Sequence, residues 1–218
     1  MAGIVLAAGS GNRFGGTKQF ATLAGERLVD RAVRTVTEAL GPPVLALPPD
    51  TAWDGPTVRA VVRGGHSRTA SVRNALAAVD RAAGIVVVHD IARPLVTTGQ
   101  FHRLVRAVTG GADCAVPAWP LPDTLKFVHA DGTVEHRGRE GYVIVQSPMA
   151  FTAAMLHKVF DAFDETPIEE SIAVERLGGR VVTVPGDPWS HHLVTPRDLE
   201  VIERLLSGDR SWSLPDQD

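Results

Sequence analysis

The chain has 218 residues, 44% of them hydrophobic, and 22 Lys and Arg against 25 Asp and Glu give it a formal charge of −3. That length suits one α/β domain with a full core, and the near-neutral balance excludes a bulk electrostatic drive toward nucleic acid or an anionic membrane, so any anion site must be built locally. A single cysteine, Cys114, excludes an internal disulfide or a thiolate metal cluster and fits a reducing cytoplasm; there is no apolar span of about 18 residues and no secretory pattern at the start.

In chain order, residues 3–8 form an apolar run that predicts a buried strand. It breaks into a loop with glycine at 9, 11, 15 and 16 that also carries Arg13 and Lys18. Glycine lets backbone N–H groups approach a ligand without a Cβ in the way, and a row of such groups beside two cations suits a polyphosphate. Neither common phosphate loop is present, because Phe14 breaks G-x-G-x-x-G and no Gly-Lys-Ser/Thr occurs. Counted as glycines alone, the stretch is equally an ordinary strand-to-helix loop.

Apolar residues at 28, 29, 32, 33, 36, 39 and 40 predict a helix over 26–40, stopped by Gly41-Pro42-Pro43. Strands are expected at 44–47 and 58–62. Gly64-Gly65-His66-Ser67-Arg68 then leads into a helix from about 69 to 78, and residues 84–88 read as a fully apolar strand. This alternation predicts a three-layer, doubly wound α/β fold with a mostly parallel sheet. Ligands in such folds bind beyond the carboxyl ends of the strands, so the loops at 9–18, 64–68 and 89–94 should converge. In His89-Asp90-Ile91-Ala92-Arg93-Pro94, the acid at the strand end can serve a ligand or simply cap the next turn, with Arg93 as its partner. His89 reads as a hydrogen-bonded histidine beside the sheet.

A helix over 96–109 and a strand over 112–118 follow. The texture then changes: Pro120, Pro122, Asp123, Thr124 and Lys126 precede an Asp131-Gly132 hairpin signal, which predicts a β-arm at about 119–142. Helices are expected over 152–163 and from 167, a strand over 180–184, and a last helix opened by Thr195-Pro196-Arg197-Asp198. Residues 1–208 are expected to form one domain, with 209–218 an exposed tail. His102 and His157 have no neighbours at ligand spacing, and no zinc pattern, nucleophile elbow or kinase set occurs.

Leu6-Ala7-Ala8-Gly9-Ser10-Gly11-Asn12-Arg13, followed by Lys18-Gln19-Phe20, resembles the signature of the 2-C-methyl-D-erythritol 4-phosphate cytidylyltransferase family, which activates polyol phosphates with CTP. Gly64-Gly65-His66-Ser67-Arg68 with Ser71-Val72, His89 to Pro94, and Asp123 to Lys126 resemble further motifs of that family. The resemblance implies a Rossmann-like nucleotidyltransferase fold and a cytoplasmic homodimer using Mg²⁺. The implied reaction is cytidylyl transfer from CTP to 2-C-methyl-D-erythritol 4-phosphate, in the non-mevalonate isoprenoid pathway. It implies that Arg13 and Lys18 stabilise charge at the α-phosphate, with Ala7, Ala8, Gly9 and Gly11 around the nucleotide. Gly65, His66 and Ser71 would read cytosine, and Arg68 would support their loop. Asp90 would serve nucleotide, metal or second substrate, and Arg93 the second substrate. Thr124 and Arg139 would reach from the arm into a partner's site to bind the substrate phosphate. The sequence departs from the family pattern at Thr17, where proline is usual, and at His66, where aspartate is usual. It departs again at Ile168 and Val194, both threonine in the pattern, and at His192, which takes the place of a phosphate-binding lysine. Those departures leave open ribitol 5-phosphate or another polyol phosphate as acceptor, or a nucleotide-binding paralogue with weakened turnover.

Overall fold

The computed structural model describes residues 1–163 and 169–207. The predicted tail beyond 208 and the departure at Ile168 lie outside them. Strand β1 (Ala2–Leu6) is buried at all five positions. After two short 3-10 turns come a small hairpin, β2 (Thr22–Leu23) and β3 (Glu26–Arg27), helix α1 (Leu28–Leu40), β4 (Val44–Leu47) and β5 (Ala60–Arg63). The expected helix at 26 thus starts two residues late. Glu26 and Arg27 turn back on Thr22 and Leu23 instead, and the apolar stripe begins at Leu28, which is fully buried. Next are α2 (Arg68–Ala77), β6 (Ile85–Asp90), α3 (Thr98–Thr109) and β7 (Cys114–Pro120).

The arm follows as an antiparallel pair, β8 (Leu125–Val128) with β9 (Val134–Arg137), every residue of β9 being exposed. Two strands without a sequence expectation come next, β10 (Val143–Val145) and β11 (Met149–Thr152). They are short, and Ser147-Pro148 interrupts the run, which hides the strand pattern. Helices α4 (Ala153–Ala162) and α5 (Glu170–Arg176), strand β12 (Val181–Pro185) and α6 (Pro196–Ser207) complete the described chain.

The sheet runs β5-β4-β1-β6-β11-β7, with β10 and β12 also paired to β7. The pairs β5–β4, β4–β1, β1–β6 and β7–β12 are parallel; β10 and β11 run against their neighbours. Alternate residues of β1 feed two cores. Ile4 and Leu6 join a cluster with Val72, Leu76, Phe151 and Leu156, while Val5, and Ala7 just past the strand, join one with Val29, Val33, Phe101 and Leu104. Helices therefore cover both faces, as the apolar strands require. The chain leaves β1 for β4 and β5 on one side and returns as β6 on the other, so a crevice opens at the carboxyl ends of β1 and β6. In register, Leu6 and Asp90 face each other there. A third cluster, Leu23, Leu28, Leu193 and Ile202 with Phe14 and Leu199 against it, pins α6 beside the first loop.

Candidate active site

The crevice holds a cleft of about 610 Å³. Its floor is the loop after β1. Ala7 N–H still bonds to the sheet at Ala46 O, 2.9 Å away, and the N–H groups of Phe14, Gly15, Gly16 and Lys18 close the loop on its own carbonyls. Among the described residues the N–H groups of residues 8–13 meet no acceptor. Gly11 sits at φ 67°, and a Cβ there would lie 1.8 Å from Gly16 O, so the turn admits no side chain. Gly9 lines the cleft, and a Cβ there would meet nothing within 4 Å. The outcome is a row of unengaged donors along the cleft.

Lys18 and Arg13 line the cleft beside this row. Lys18 Nζ donates to Leu193 O at 2.9 Å. Burial lowers the Lys18 pKa, with nearby Asp90 opposing and Arg13 reinforcing. Arg13 lines the same cleft, exposed, and makes no hydrogen bond or ion pair among the described residues. Arg93 does not line the cleft; its guanidinium donates to Ser190 O, and burial lowers its pKa against the pull of Asp90. His192 does line it. Partial burial, and then the charges of Arg93, Lys18 and Arg13, depress the imidazole pKa below its ordinary value, Asp90 opposing. The free protein therefore biases His192 toward its neutral form.

Asp90 accepts the Ala92 N–H on Oδ1 at 2.9 Å, so it does cap the next turn, while Oδ2 has no partner among the described residues. The alternative pairing of Arg93 with Asp90 does not form; Arg93 turns to the Ser190 carbonyl instead. The Asp90 N–H is fixed by Ser147 Oγ at 3.0 Å.

The second wall is the turn between β5 and α2. Ser67 caps α2 by accepting the Ala70 N–H. Ser71 Oγ donates to Ser67 O and accepts from Gly65 N–H at 3.1 Å, folding the turn onto the helix. Side chains are excluded from that turn. A Cβ on Gly64 would lie 2.1 Å from Ala8 Cβ, and one on Gly65 2.3 Å from Ala70 Cβ. Gly65, His66, Ser67, Arg68 and Ser71 all line the cleft opposite the first loop.

The structure thus brings Ala7, Ala8, Gly9, Gly11, Arg13 and Lys18 into one cleft with Gly65, His66, Ser71, Asp90 and His192. It does not bring in Thr124 or Arg139. Arg139 and its neighbours line a separate, open cleft at the base of the arm, where Arg139 donates to Pro122 O. Thr124 lies exposed at the start of the arm.

Several residues at the site had no role there assigned from sequence, Asp198 having been read only as part of the start of the last helix. Gln146 exchanges two amide hydrogen bonds with Asp187, at 2.8 and 3.0 Å, and so ties down the loop that carries Ser190, His192 and Leu193. Asp198 accepts from the N–H groups of Thr195 and Val194 and from Thr195 Oγ1, fixing the other end of that loop. Burial acts to raise the Asp198 pKa, but those donors hold it down at about 2. Glu170 is completely buried and pairs with Arg68. Two adjacent acids at a helix start carry no local mark of burial, yet Glu170 is buried together with Ser171, Ala173 and Val174. His89 is buried as expected but not satisfied: its Nδ1 has no partner, the ring stacks edge-on against Phe101, and burial lowers its pKa to about 4.

A family model described as IspD, 2-C-methyl-D-erythritol 4-phosphate cytidylyltransferase, matches residues 1–208. Relatives carrying that enzyme name include one from Saccharopolyspora erythraea, 37% identical over 94% of this chain and 98% of its own. Another, from Nocardia farcinica, is 40% identical over 82% of this chain and 75% of its own. Among solved structures, 2-C-methyl-D-erythritol 4-phosphate cytidylyltransferase from Thermus thermophilus is similar with a TM-score of 0.80 and 29% identity, over 94% of this chain and 98% of that one.

Proposed function

The chain belongs to the 2-C-methyl-D-erythritol 4-phosphate cytidylyltransferase family and is a nucleotidyltransferase, and from that premise we propose how its cleft works on CTP. It transfers the cytidylyl group of CTP to 2-C-methyl-D-erythritol 4-phosphate and releases pyrophosphate. The observation that supports this site assignment is the row of unengaged N–H groups at residues 8–13 facing the glycine-tight turn at Gly64 and Gly65 across one cleft.

The triphosphate lies on the N–H row, and the cytosine is read against Gly65, His66 and Ser71. A base bound among fixed donors and acceptors is selected strongly, because a wrong base leaves buried polar groups unpaired. The phosphate of the polyol substrate enters on the Arg93 and His192 side. One of its oxygens forms a bond to the α-phosphorus as the bond to the α–β bridging oxygen breaks, and that electron pair leaves on pyrophosphate. Lys18 and Arg13 stabilise the charge that develops at the α-phosphate, and the loop bonds at Leu193 and Gly16 hold that geometry before substrate arrives.

Among the described residues no group of three or more His, Cys, Asp or Glu could hold a metal by itself. The free Oδ2 of Asp90 fits a Mg²⁺ shared with the nucleotide phosphates, the usual manner of binding for that ion. When bound, it would supply charge neutralisation on the phosphates. The arm exposes Phe127, Val128, Val134 and Tyr142, all at least half exposed, and this apolar surface supports a homodimer in which Thr124 and Arg139 complete the partner's substrate site. A cytoplasmic location fits the lone buried Cys114 and the lack of any helix long and apolar enough to cross a membrane among the described residues.

The deciding experiment is pyrophosphate release from CTP with 2-C-methyl-D-erythritol 4-phosphate, run against ribitol 5-phosphate. Turnover with the first and not the second is expected. Preference for ribitol 5-phosphate would move the acceptor assignment. A nucleotide-dependent rise in melting temperature without product would mark a binding protein instead.

A further inference from the structure

The nucleobase turn is held from behind by a charge that packing alone does not require. Glu170, the first residue of α5, has no exposed surface, and its Oε2 accepts from Arg68 at the first position of α2. Its other oxygen, Oε1, is buried with no hydrogen-bond partner. Burying a carboxylate with one oxygen unsatisfied is costly, and an apolar side chain of similar size would serve α5 better if the need were only to fill space. What the carboxylate alone supplies is a fixed guanidinium. Arg68 keeps 36% of its side chain open and lines the cleft. Burial works against the Arg68 charge, but Glu170, with Asp90 and Glu169 behind it, raises its pKa overall.

Arg68 is also the residue next to the cap of the base-reading turn. Ser67 sets the start of α2, Ser71 ties Gly65 to it, and Gly64 rests on Ala8 of the triphosphate loop. Arg68 shares the first turn of α2 with Ser67 and Ser71, whose hydrogen bonds reach Gly65, and Gly64 beside them packs against Ala8 of the first loop. We propose that Glu170 is a positioning residue for nucleotide selection: by holding Arg68 from α5 it fixes the turn that discriminates the pyrimidine ring, without touching nucleotide itself. This rests on the reading of the cleft as a CTP site. It makes the short acidic helix start at Glu169 and Glu170 a determinant of specificity.

The test compares wild type with Glu170→Gln, Glu170→Asp and the paired replacement Arg68→Met with Glu170→Met, which removes both charges and leaves neither unpaired. Pyrophosphate release is measured with CTP and with UTP, and melting is followed for each protein. The paired variant is expected to stay folded, raise KM for CTP about tenfold or more, and lower the preference for CTP over UTP by a similar factor, with kcat much less affected. Glu170→Asp, which keeps the carboxylate on a shorter stem, should recover part of the selectivity lost in Glu170→Gln. Wild-type KM and selectivity in the folded paired variant would overturn the proposal. So would loss of the folded state in all variants, because the pair would then be a prop of α5 rather than a device of the base site. A wild-type protein without CTP turnover refutes the cleft assignment itself, and is read separately from either result.

Discussion

Replacing Lys18 with methionine separates catalysis from stability, because among the described residues the ammonium makes a single hydrogen bond. That bond goes to Leu193 O at 2.9 Å. A net hydrogen bond of this type is worth about 1 kcal/mol, or roughly 2–4 °C in melting temperature for a domain of this size. Burial already lowers the Lys18 pKa, so a methionine of similar length recovers part of that loss. Against this stands the contact with charge developing at the α-phosphate. Loss of one such preorganised donor costs about 3 kcal/mol, which is a fall of roughly 150-fold in rate. Lys18→Met should therefore melt within a few degrees of wild type while kcat for pyrophosphate release at saturating CTP falls by two orders of magnitude. Steady-state kinetics and a thermal melt on the same preparation decide it. A kcat within about fivefold of wild type, or a rise in KM alone, would refute the reasoning, since the charge would then serve ground-state binding and not the transfer step.

His192 is expected to be neutral in the free protein, because its folded pKa lies below the ordinary value. CTP binding should draw a proton onto it near pH 6 to 7, seen by calorimetry in buffers of differing ionisation enthalpy, and His192→Lys should abolish that uptake and tighten binding at about pH 8. His89 is buried neutral with a pKa of about 4, so the unfolded chain binds a proton more readily. Stability is full above the unfolded pKa and falls as pH drops toward 4, by on the order of 3 kcal/mol in total, and His89→Leu should remove that share of the acid loss in denaturant titrations. Arg139→Ala should lose activity as a homodimer, yet recover part of it when mixed with Lys18→Met subunits. Absence of any recovery in the mixed dimers would place both residues in a single-subunit site.

The parts of this molecule that were legible in the sequence are those written in local pattern. Ile4 to Ala8 is apolar without interruption because β1 lies between two strands and under two helical layers, and its position at the switch of the sheet follows from the alternation around it. The glycine spacing gave the donor row, and His89 to Pro94 gave the strand end that faces it. The parts not legible depend on distant pairing. Ser147 Oγ reaches Asp90 across 57 positions, and Glu170 reaches Arg68 across 102. Neither has a local signature: Glu170 has the composition of an exposed helix start, and Ser147 that of a loop before proline. Strands β10 and β11 were missed for the same reason, since their partner β7 is set by the fold and not by any periodicity of their own.

The choice of partner sorts several cations of the protein into two kinds, and that sorting says more about the site than a count of charges. Arg27 and Arg34 pair with carboxylates, and the hydrogen bonds to Asp30 and Glu26 raise their pKa values. Arg68, facing Glu170, is raised as well. These are framework cations whose charge is already answered. Lys18 and Arg93 instead rest on the neutral carbonyls of Leu193 and Ser190, both in the loop fixed by Gln146 and Asp198, and both have lowered pKa values through burial. A carbonyl aims a cation without cancelling it. Lys18 in the cleft and Arg93 outside its lining are thus positioned but left unneutralised, with Asp90 the carboxylate whose influence reaches Lys18, Arg93 and His192 alike. An arrangement of that kind is unfavourable until an anion arrives, and the anion it is shaped for is one that gains charge during reaction. Replacing Asp90 by asparagine should then lower the Lys18 and Arg93 pKa values further while removing the free oxygen for Mg²⁺, so the variant is expected to bind CTP without Mg²⁺ no more weakly than wild type. Its turnover should nonetheless fall at every Mg²⁺ concentration.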